Sequence, residues 1–407
     1  MGRLESGARL GLVAWAMVVT MARAVRCPND FAEAHWLVDY RFGFIRRGLA
    51  GSLYALPAEA GLVPQSAAAI AVLSFAIFGA LLLLLLAASR RILEADANPA
   101  LSFSAAAVFA TSPYVVMAGH FMGYLDHPVV LVAFAAAWLA ARGRAWPAAA
   151  LAAVGVLLHE SFLLVGLPLV VAAAALAPLT SMTWRARVLP LALPVGAALA
   201  LLLSEALVLN PSVLRQQLTA RLAAFPFVAG DMHVFVPEWL TLGSWENLRG
   251  QSHAIWRRLG DPNLLRLMAP SALYLAVYAA RSTRGSRRPL PAALVAFATA
   301  APLLLHLVAW DTARIWAFTI VVAFACAWLV ASAAGGDRGV GRTARPRTAR
   351  LLVAVSALIV VANLLGRSPL MDGEVERFST PLRLFLYSPF IAGAALAIAD
   401  GLCERRP

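Results

Sequence analysis

Apolar residues run through this chain in blocks long enough to cross a bilayer, and polar residues gather at the joints between them. Twelve blocks stand out, at 10–25, 66–89, 100–118, 128–141, 147–158, 161–177, 188–209, 263–280, 289–309, 315–334, 351–365 and 384–402. A hydrocarbon core about 30 Å thick needs about 20 residues of helix, and a chain inside it must satisfy its backbone hydrogen bonds internally. The pattern therefore predicts an all-α polytopic integral membrane protein of about 12 transmembrane helices, forming a single membrane domain over 1–407.

Composition strengthens that reading. Of the 407 residues, 61% are apolar and 14% charged, with a mean hydropathy of +0.76. Soluble domains carry about a quarter of their residues charged, so a multidomain soluble protein of this length is excluded.

The net charge of +13 looks at first like that of a nucleic-acid binder. All 34 basic residues are Arg, however, and cytoplasmic ends of membrane helices are enriched in basic residues, so the Arg positions can orient every span. With the N-terminus inside, 19 Arg and six acids fall on the cytoplasmic side, and 15 Arg and 15 acids fall outside. The whole formal charge then belongs to the inner face. This implies a bacterial inner (plasma) membrane protein with both termini cytoplasmic and no nucleic-acid partner.

Charge parity also decides the segment 147–178. Its flanks, Arg142/Arg144 and Arg185/Arg187, both belong inside, so it must cross an even number of times. A hairpin of two short helices follows, with His159-Glu160-Ser161 at its outer turn. The N-terminal stretch resembles a signal peptide, but Arg23 stands where a cleavage site wants small neutral residues, which favours an uncleaved first helix. Cys27, Cys326 and Cys403 fall in three different compartments, so neither a disulfide nor a cysteine metal site is expected.

Two outer loops are long, 26–65 and 210–262. The first contains Asp30-x-x-Glu33, a capping-box-like start to a short helix. The second repeats Leu214, Leu218, Leu222 and Phe225 at helical spacing, as an amphipathic helix at the membrane surface does, and Trp239, Trp245 and Trp256 fit an interfacial belt.

The unusual polar residues converge on the outer face: Asp30, Glu33, His35, Asp39, Arg41, Arg46 and Arg47; Asp126 and His127; His159 and Glu160; Glu205, Asp231, His233, Glu238 and Glu246; Asp311 and Arg314. The densest group, Asp39 to Arg47, sets three Arg and one Asp among aromatic residues. Arg is the side chain best suited to bidentate phosphate recognition, whereas snorkelling toward lipid headgroups is its ordinary use at such a position. Asp126-His127-Pro128 could supply a catalytic carboxylate or simply start a helix. Asp311 and Arg314, three apart, would share a helical face as an ion pair. No metal motif is present; a divalent cation accompanying a lipid phosphate is the one cofactor left open.

Tyr124-Leu125-Asp126-His127-Pro128-Val129-Val130, Leu157-Leu158-His159-Glu160-Ser161 and Gly166-Leu167-Pro168, on a chain with an acidic first outer loop, resemble the GT-C membrane glycosyltransferases, in particular the protein-mannosyltransferase and aminoarabinose-transferase branch. The resemblance covers about the first 210 residues and lies in the pattern. It implies sugar transfer from a polyprenyl-phosphate donor to an extracytoplasmic glycan, lipid or protein acceptor, within membrane lipid and with inversion. Asp39 or Asp30 would be the general base, with Asp126 beside it; Arg41, Arg46, Arg47 and Arg314 would hold phosphate; and His127, His159, Glu160 and Asp311 would orient substrate. The family's adjacent acidic pair is absent, since Asp30 and Asp39 are separated. A polysaccharide polymerase or O-antigen ligase, with His159 as the activating group, and a transporter or flippase are the competing classes.

Overall fold

The computed structural model describes residues 3–95, 98–177, 184–207, 210–283, 289–309, 311–334, 346–367, 369–370, 373–374 and 376–403. Eight of the 19 arginines assigned to the cytoplasmic side, Arg284, Arg287, Arg288, Arg338, Arg342, Arg345, Arg405 and Arg406, lie outside these residues.

The chain begins with α1 (Arg3–Ala22), followed by two short helices of the first loop, α2 (Asp30–Leu37) and α3 (Gly48–Glu59). Then come α4 (Ala67–Ala95), α5 (Pro99–Ala110), α6 (Pro113–His120), α7 (Asp126–Ala141), α8 (Ala145–Leu158), α9 (Phe162–Val165), α10 (Leu167–Leu176), α11 (Trp184–Val188) and α12 (Ala192–Leu207). The second long loop is built of α13 (Pro211–Ala223), α14 (Met232–Thr241), α15 (Ser244–Ser252) and α16 (Ile255–Leu259). The remainder is α17 (Pro262–Thr283), α18 (Pro289–Ala300), a 3-10 segment Ala301–Leu307, α19 (Thr312–Ala334), α20 (Pro346–Leu365) and α21 (Thr380–Cys403). A two-residue strand pair, Pro369–Leu370 with Gly373–Glu374, joins α20 to α21.

The described residues of the twelve apolar blocks are mostly helical. Among the described residues, six stretches are both long and apolar enough to cross a membrane: Ala67–Ala95, Pro99–His120, Leu189–Leu207, Leu290–Leu307, Thr312–Ala333 and Arg347–Leu365. Three shorter apolar helices, Asp126–Ala141, Ala145–Leu158 and Phe162–Leu176, pack among them.

Burial separates the centre of the bundle from its rim. The most apolar window of Pro99–His120 is 100% buried and that of Thr312–Ala333 is 94% buried, against 28% for Ala67–Ala95 and 17% for Leu189–Leu207. The two central helices meet face to face through Phe109 and Phe324, whose rings stack 3.6 Å apart. The rim helices expose Val72, Phe75 and Leu83, or Leu199, Leu202 and Leu203, as helices facing lipid tails do.

Local chemistry explains where helices start and break. Asn98-Pro99 and Asn210-Pro211 both open helices: the Asn side chain accepts a backbone N–H from the first turn, and Pro occupies the position whose N–H would be unpaired anyway. Pro113 forces Ser112 into extended backbone at ψ 157°, which splits the block at 100–118 into α5 and α6. The hairpin forms with α8 as one arm, α9 and α10 as the other, and His159-Glu160-Ser161 at the turn. Its arms approach closely because Phe162 packs against both Gly155 and Gly166, where any Cβ would overlap the ring.

Asp30 does not cap α2; Asn29 does, its side chain accepting from Ala32 N at 3.1 Å, so Asp30 is the first helical residue and the capping-box register shifts by one. In the second loop Leu214, Leu218 and Leu222 form the buried face of α13 as the spacing predicts, while Trp245 and Trp256 stay 65% and 81% exposed.

Candidate active site

The loop ends of these helices meet at one end of the bundle, where side chains distant in sequence form a compact, largely buried charge network. Arg47 starts α3 in left-handed backbone (φ 62°), the sole non-glycine residue with positive φ among those described. That conformation costs a side-chain-bearing residue about 1 kcal/mol, and it persists only where surrounding contacts hold it. Here the guanidinium is fixed at two points. Nη1 donates to His35 Nε2 at 3.0 Å, and Nε donates to Glu160 Oε2 at 3.1 Å, with Nη2 also bonded to Glu160.

Facing this pair is a second one: Arg314 Nη2 donates to Asp126 Oδ1 at 2.5 Å. Phe121 and Tyr124 lie 5.8 and 5.5 Å from the Arg314 guanidinium, and Arg314 Nε has no hydrogen-bond acceptor among the described residues. Phe31 closes the group, 4.4 Å from the His35 ring and 5.5 Å from that of Tyr124. Each pair sets one cation against one carboxylate, with Asp311 acting on Arg314 and Arg46 acting on Glu160 from beside them.

The histidines are uncharged for a physical reason. Burial, and then the neighbouring Arg47 charge, push both His35 and His159 down to about 3. Their hydrogen bonds set the tautomers. His35 Nε2 accepts from Arg47, so its Nδ1 carries the proton and donates to Phe31 O at 2.7 Å. His159 Nδ1 accepts from Ser161 N at 3.1 Å, which leaves the proton on Nε2, and Nε2 has no partner among the described residues. Burial raises the Glu160 carboxyl, but the Arg47 charge outweighs it and holds the group well below the usual carboxylate range. The Glu160 side chain keeps 33% of its exposure and Arg47 keeps 9%, so Glu160 forms the open rim of the pair.

Of the residues singled out in the sequence, the structure thus brings together Arg47, Asp126, His159, Glu160 and Arg314. Asp311 accepts from Arg314 N at 3.2 Å and its charge acts on the Arg314 guanidinium, which also reaches across to Asp126. His127 is buried beside Phe78, 5.5 Å ring to ring, on the first turn of α7.

Asp39 and Arg41 pair with each other, and Arg46 lies at the edge of the cluster, where its charge acts on Glu160. Asp39 Oδ1 caps the short 3-10 turn Tyr40–Phe42 and pairs with Arg41, which also reaches Glu59. Burial raises the Asp39 carboxyl, and the hydrogen bonds and charge of Arg41 overcome this and lower it. Arg46 donates to Leu240 O at 3.2 Å and to Leu242 O and lies 3.9 Å from Glu205, fastening the first loop to the end of α14. Asp30 stands one residue before Phe31, and burial together with its charge raises Glu33 to about 7.

His35 is a member that sequence reasoning had placed only among the general outer polar residues. Its signal was faint: Phe31 and His35 are i and i+4 on a helix that opens with an Asn cap. A separate buried group was not foreseen. Arg23 and Arg383 share Glu376 at 2.7 and 2.9 Å and donate to the last carbonyls of α20 and to Gly366. They cap the C-terminal end of that helix with positive charge and tie α1 to the α20–α21 connection.

No family model, curated protein or solved structure matches the chain.

Proposed function

We propose that the chain is a membrane glycosyltransferase of about 12 crossings that moves a sugar from a polyprenyl-phosphate donor to an extracytoplasmic acceptor. It would sit in a bacterial inner membrane with both termini inside and the Arg47–Arg314 cluster facing out. The observation carrying this reading is that cluster: two arginines, each ion-paired to a carboxylate distant in sequence, at the loop end of an apolar bundle. Buried ionisable groups are costly, and a strained Arg47 adds to the cost, which is the pattern of a site kept for chemistry.

In this reading Arg47 and Arg314 take the donor phosphate and stabilise the charge that grows on it as the glycosidic C–O bond breaks. A carboxylate at the rim removes the acceptor hydroxyl proton as that oxygen attacks the anomeric carbon, and the lipid phosphate departs with the bonding electron pair. Glu160 suits the base role better than Asp39, which is occupied by Arg41 and by a backbone cap. Asp126 keeps Arg314 in place.

A second reading has one specific observation in its favour. His159 presents a buried Nε2–H without a partner among the described residues at the hairpin turn, as a group acting on a lipid-linked glycan in a polymerase or O-antigen-ligase-like enzyme would. The breaks at Ser112 and Gly166 are a transporter-like feature, but the paired charges described here gather at one end of the bundle.

The test is transfer of radiolabelled sugar from polyprenyl-phosphate donors by protein purified into nanodiscs. Arg47→Gln and Arg314→Gln should each lower transfer by about 10² or more, and Asp39→Asn should retain it. Loss in His159→Ala with Glu160→Gln fully active would favour the second reading.

A further inference from the structure

We infer that Glu160 occupies, in the resting protein, the place of the donor's phosphate, and that a singly charged phosphodiester enters by displacing this carboxylate from Arg47. The inference rests on the glycosyl-transfer reading and adds the charge class of the ligand and a gate.

Three observations converge. First, the two members of the pair are held unequally. Arg47 is anchored by its left-handed backbone and by His35 Nε2 at 3.0 Å, while Glu160 sits at the turn of a hairpin with 33% of its side chain exposed. An arriving anion would therefore move the glutamate outward and leave the arginine where it is. Second, the pair is forked, with Nε and Nη2 both bonded to the carboxylate, and a phosphodiester presents two oxygens of comparable spacing to the same fork.

Third, the charge balance fixes the ligand class. Arg47 and Glu160 form a one-to-one pair, so replacing this carboxylate by one monoanion leaves the net charge of the site unchanged. A lipid diphosphate carries a further charge and would have to displace Asp126 as well. Asp126 is less open, with 10% of its side chain exposed. An uncompensated buried charge is strongly unfavourable, so the site selects the phosphodiester.

The consequence is a base that becomes available only with substrate. While Arg47 holds Glu160, the carboxylate is a poor proton acceptor. Once phosphate takes the guanidinium, Glu160 loses its cation beside the bound sugar phosphate and becomes more basic.

The experiment uses the full chain in nanodiscs and farnesyl methyl phosphate, a sugar-free phosphodiester, with binding read by calorimetry beside farnesyl diphosphate. Glu160→Gln should tighten the phosphodiester at least tenfold, Glu160→Asp should fall between Glu160→Gln and the parent, and Arg47→Gln should weaken it at least tenfold. The parent should prefer the phosphodiester to the diphosphate. If the parent binds the phosphodiester but Glu160→Gln and Glu160→Asp bind it no more tightly, the displacement is wrong and the transfer reading stands. If neither the parent nor Glu160→Gln binds any lipid phosphate, the transfer reading falls with it.

Discussion

Arg314 and Asp126 are 188 residues apart in the chain, and their side chains meet at 2.5 Å. The contact joins the start of α19 to the start of α7, so the central helix and the helix leading to the hairpin are locked at the same end as Arg47 and Glu160. Removing one partner strands the other charge. Asp126→Ala and Arg314→Ala should each destabilise the protein by about 3 kcal/mol, as single deletions from buried pairs do. The double variant Asp126→Leu/Arg314→Met should recover most of that stability in thermal unfolding in detergent, and should remain inactive.

Arg47 combines an unfavourable backbone with a favourable side chain, and the two can be separated. Arg47→Ala loses the ion pair and the His35 bond while keeping the positive φ; Arg47→Gly loses the same contacts but relieves the backbone. Arg47→Gly should therefore be more stable than Arg47→Ala by about 1 kcal/mol. Denaturant unfolding of the two variants side by side checks this.

The buried histidines predict acid sensitivity. His35 and His159 sit at about 3 when folded and near the ordinary 6.5 when unfolded. Between these values the unfolded chain takes up protons that the folded chain refuses, so stability falls as pH is lowered below about 6.5. Melting temperature against pH should decline on that side, and His159→Gln should flatten the decline.

Glu33 acts with the opposite sign. Burial, and then Asp30, raise it from 4.5 to about 7, so the folded protein holds a proton that the unfolded chain releases, and stability is lost as pH rises through that interval. Glu33→Gln should gain on the parent protein at pH 8 and show no gain at pH 4, read by the same melting curves.

Much of the bundle was legible in the sequence, and for a physical reason. Apolar blocks of span length admit few structures other than helix, and the Arg residues on both flanks predict a hairpin where the structure has α8 turning into α9 and α10. The resulting turn at His159-Glu160 follows directly. The site was legible only as a set of polar residues on one face. Within it, the Asp39–Arg47 stretch is locally dense, and density suggested chemistry; but Asp39 and Arg41 satisfy each other two residues apart, and Arg46 turns to the carbonyls at Leu240 and Leu242. The pairs that form the cluster, Arg47 with Glu160 and Arg314 with Asp126, span 113 and 188 residues. Such pairings come from helix packing, and a single sequence carries no local trace of them.

The claim that the Arg47–Glu160 and Arg314–Asp126 cluster receives a polyprenyl-phosphate sugar is tested most directly by photo-crosslinking. A polyprenyl-phosphate sugar with a diazirine beside its phosphate, added to the protein in nanodiscs and mapped by peptide mass spectrometry, should label residues within 31–47, 121–126, 159–162 and 311–316. Labelling should be lost in Arg47→Gln. Labelling confined to the lipid-facing surfaces of α4 and α12, unchanged in Arg47→Gln, would contradict the account.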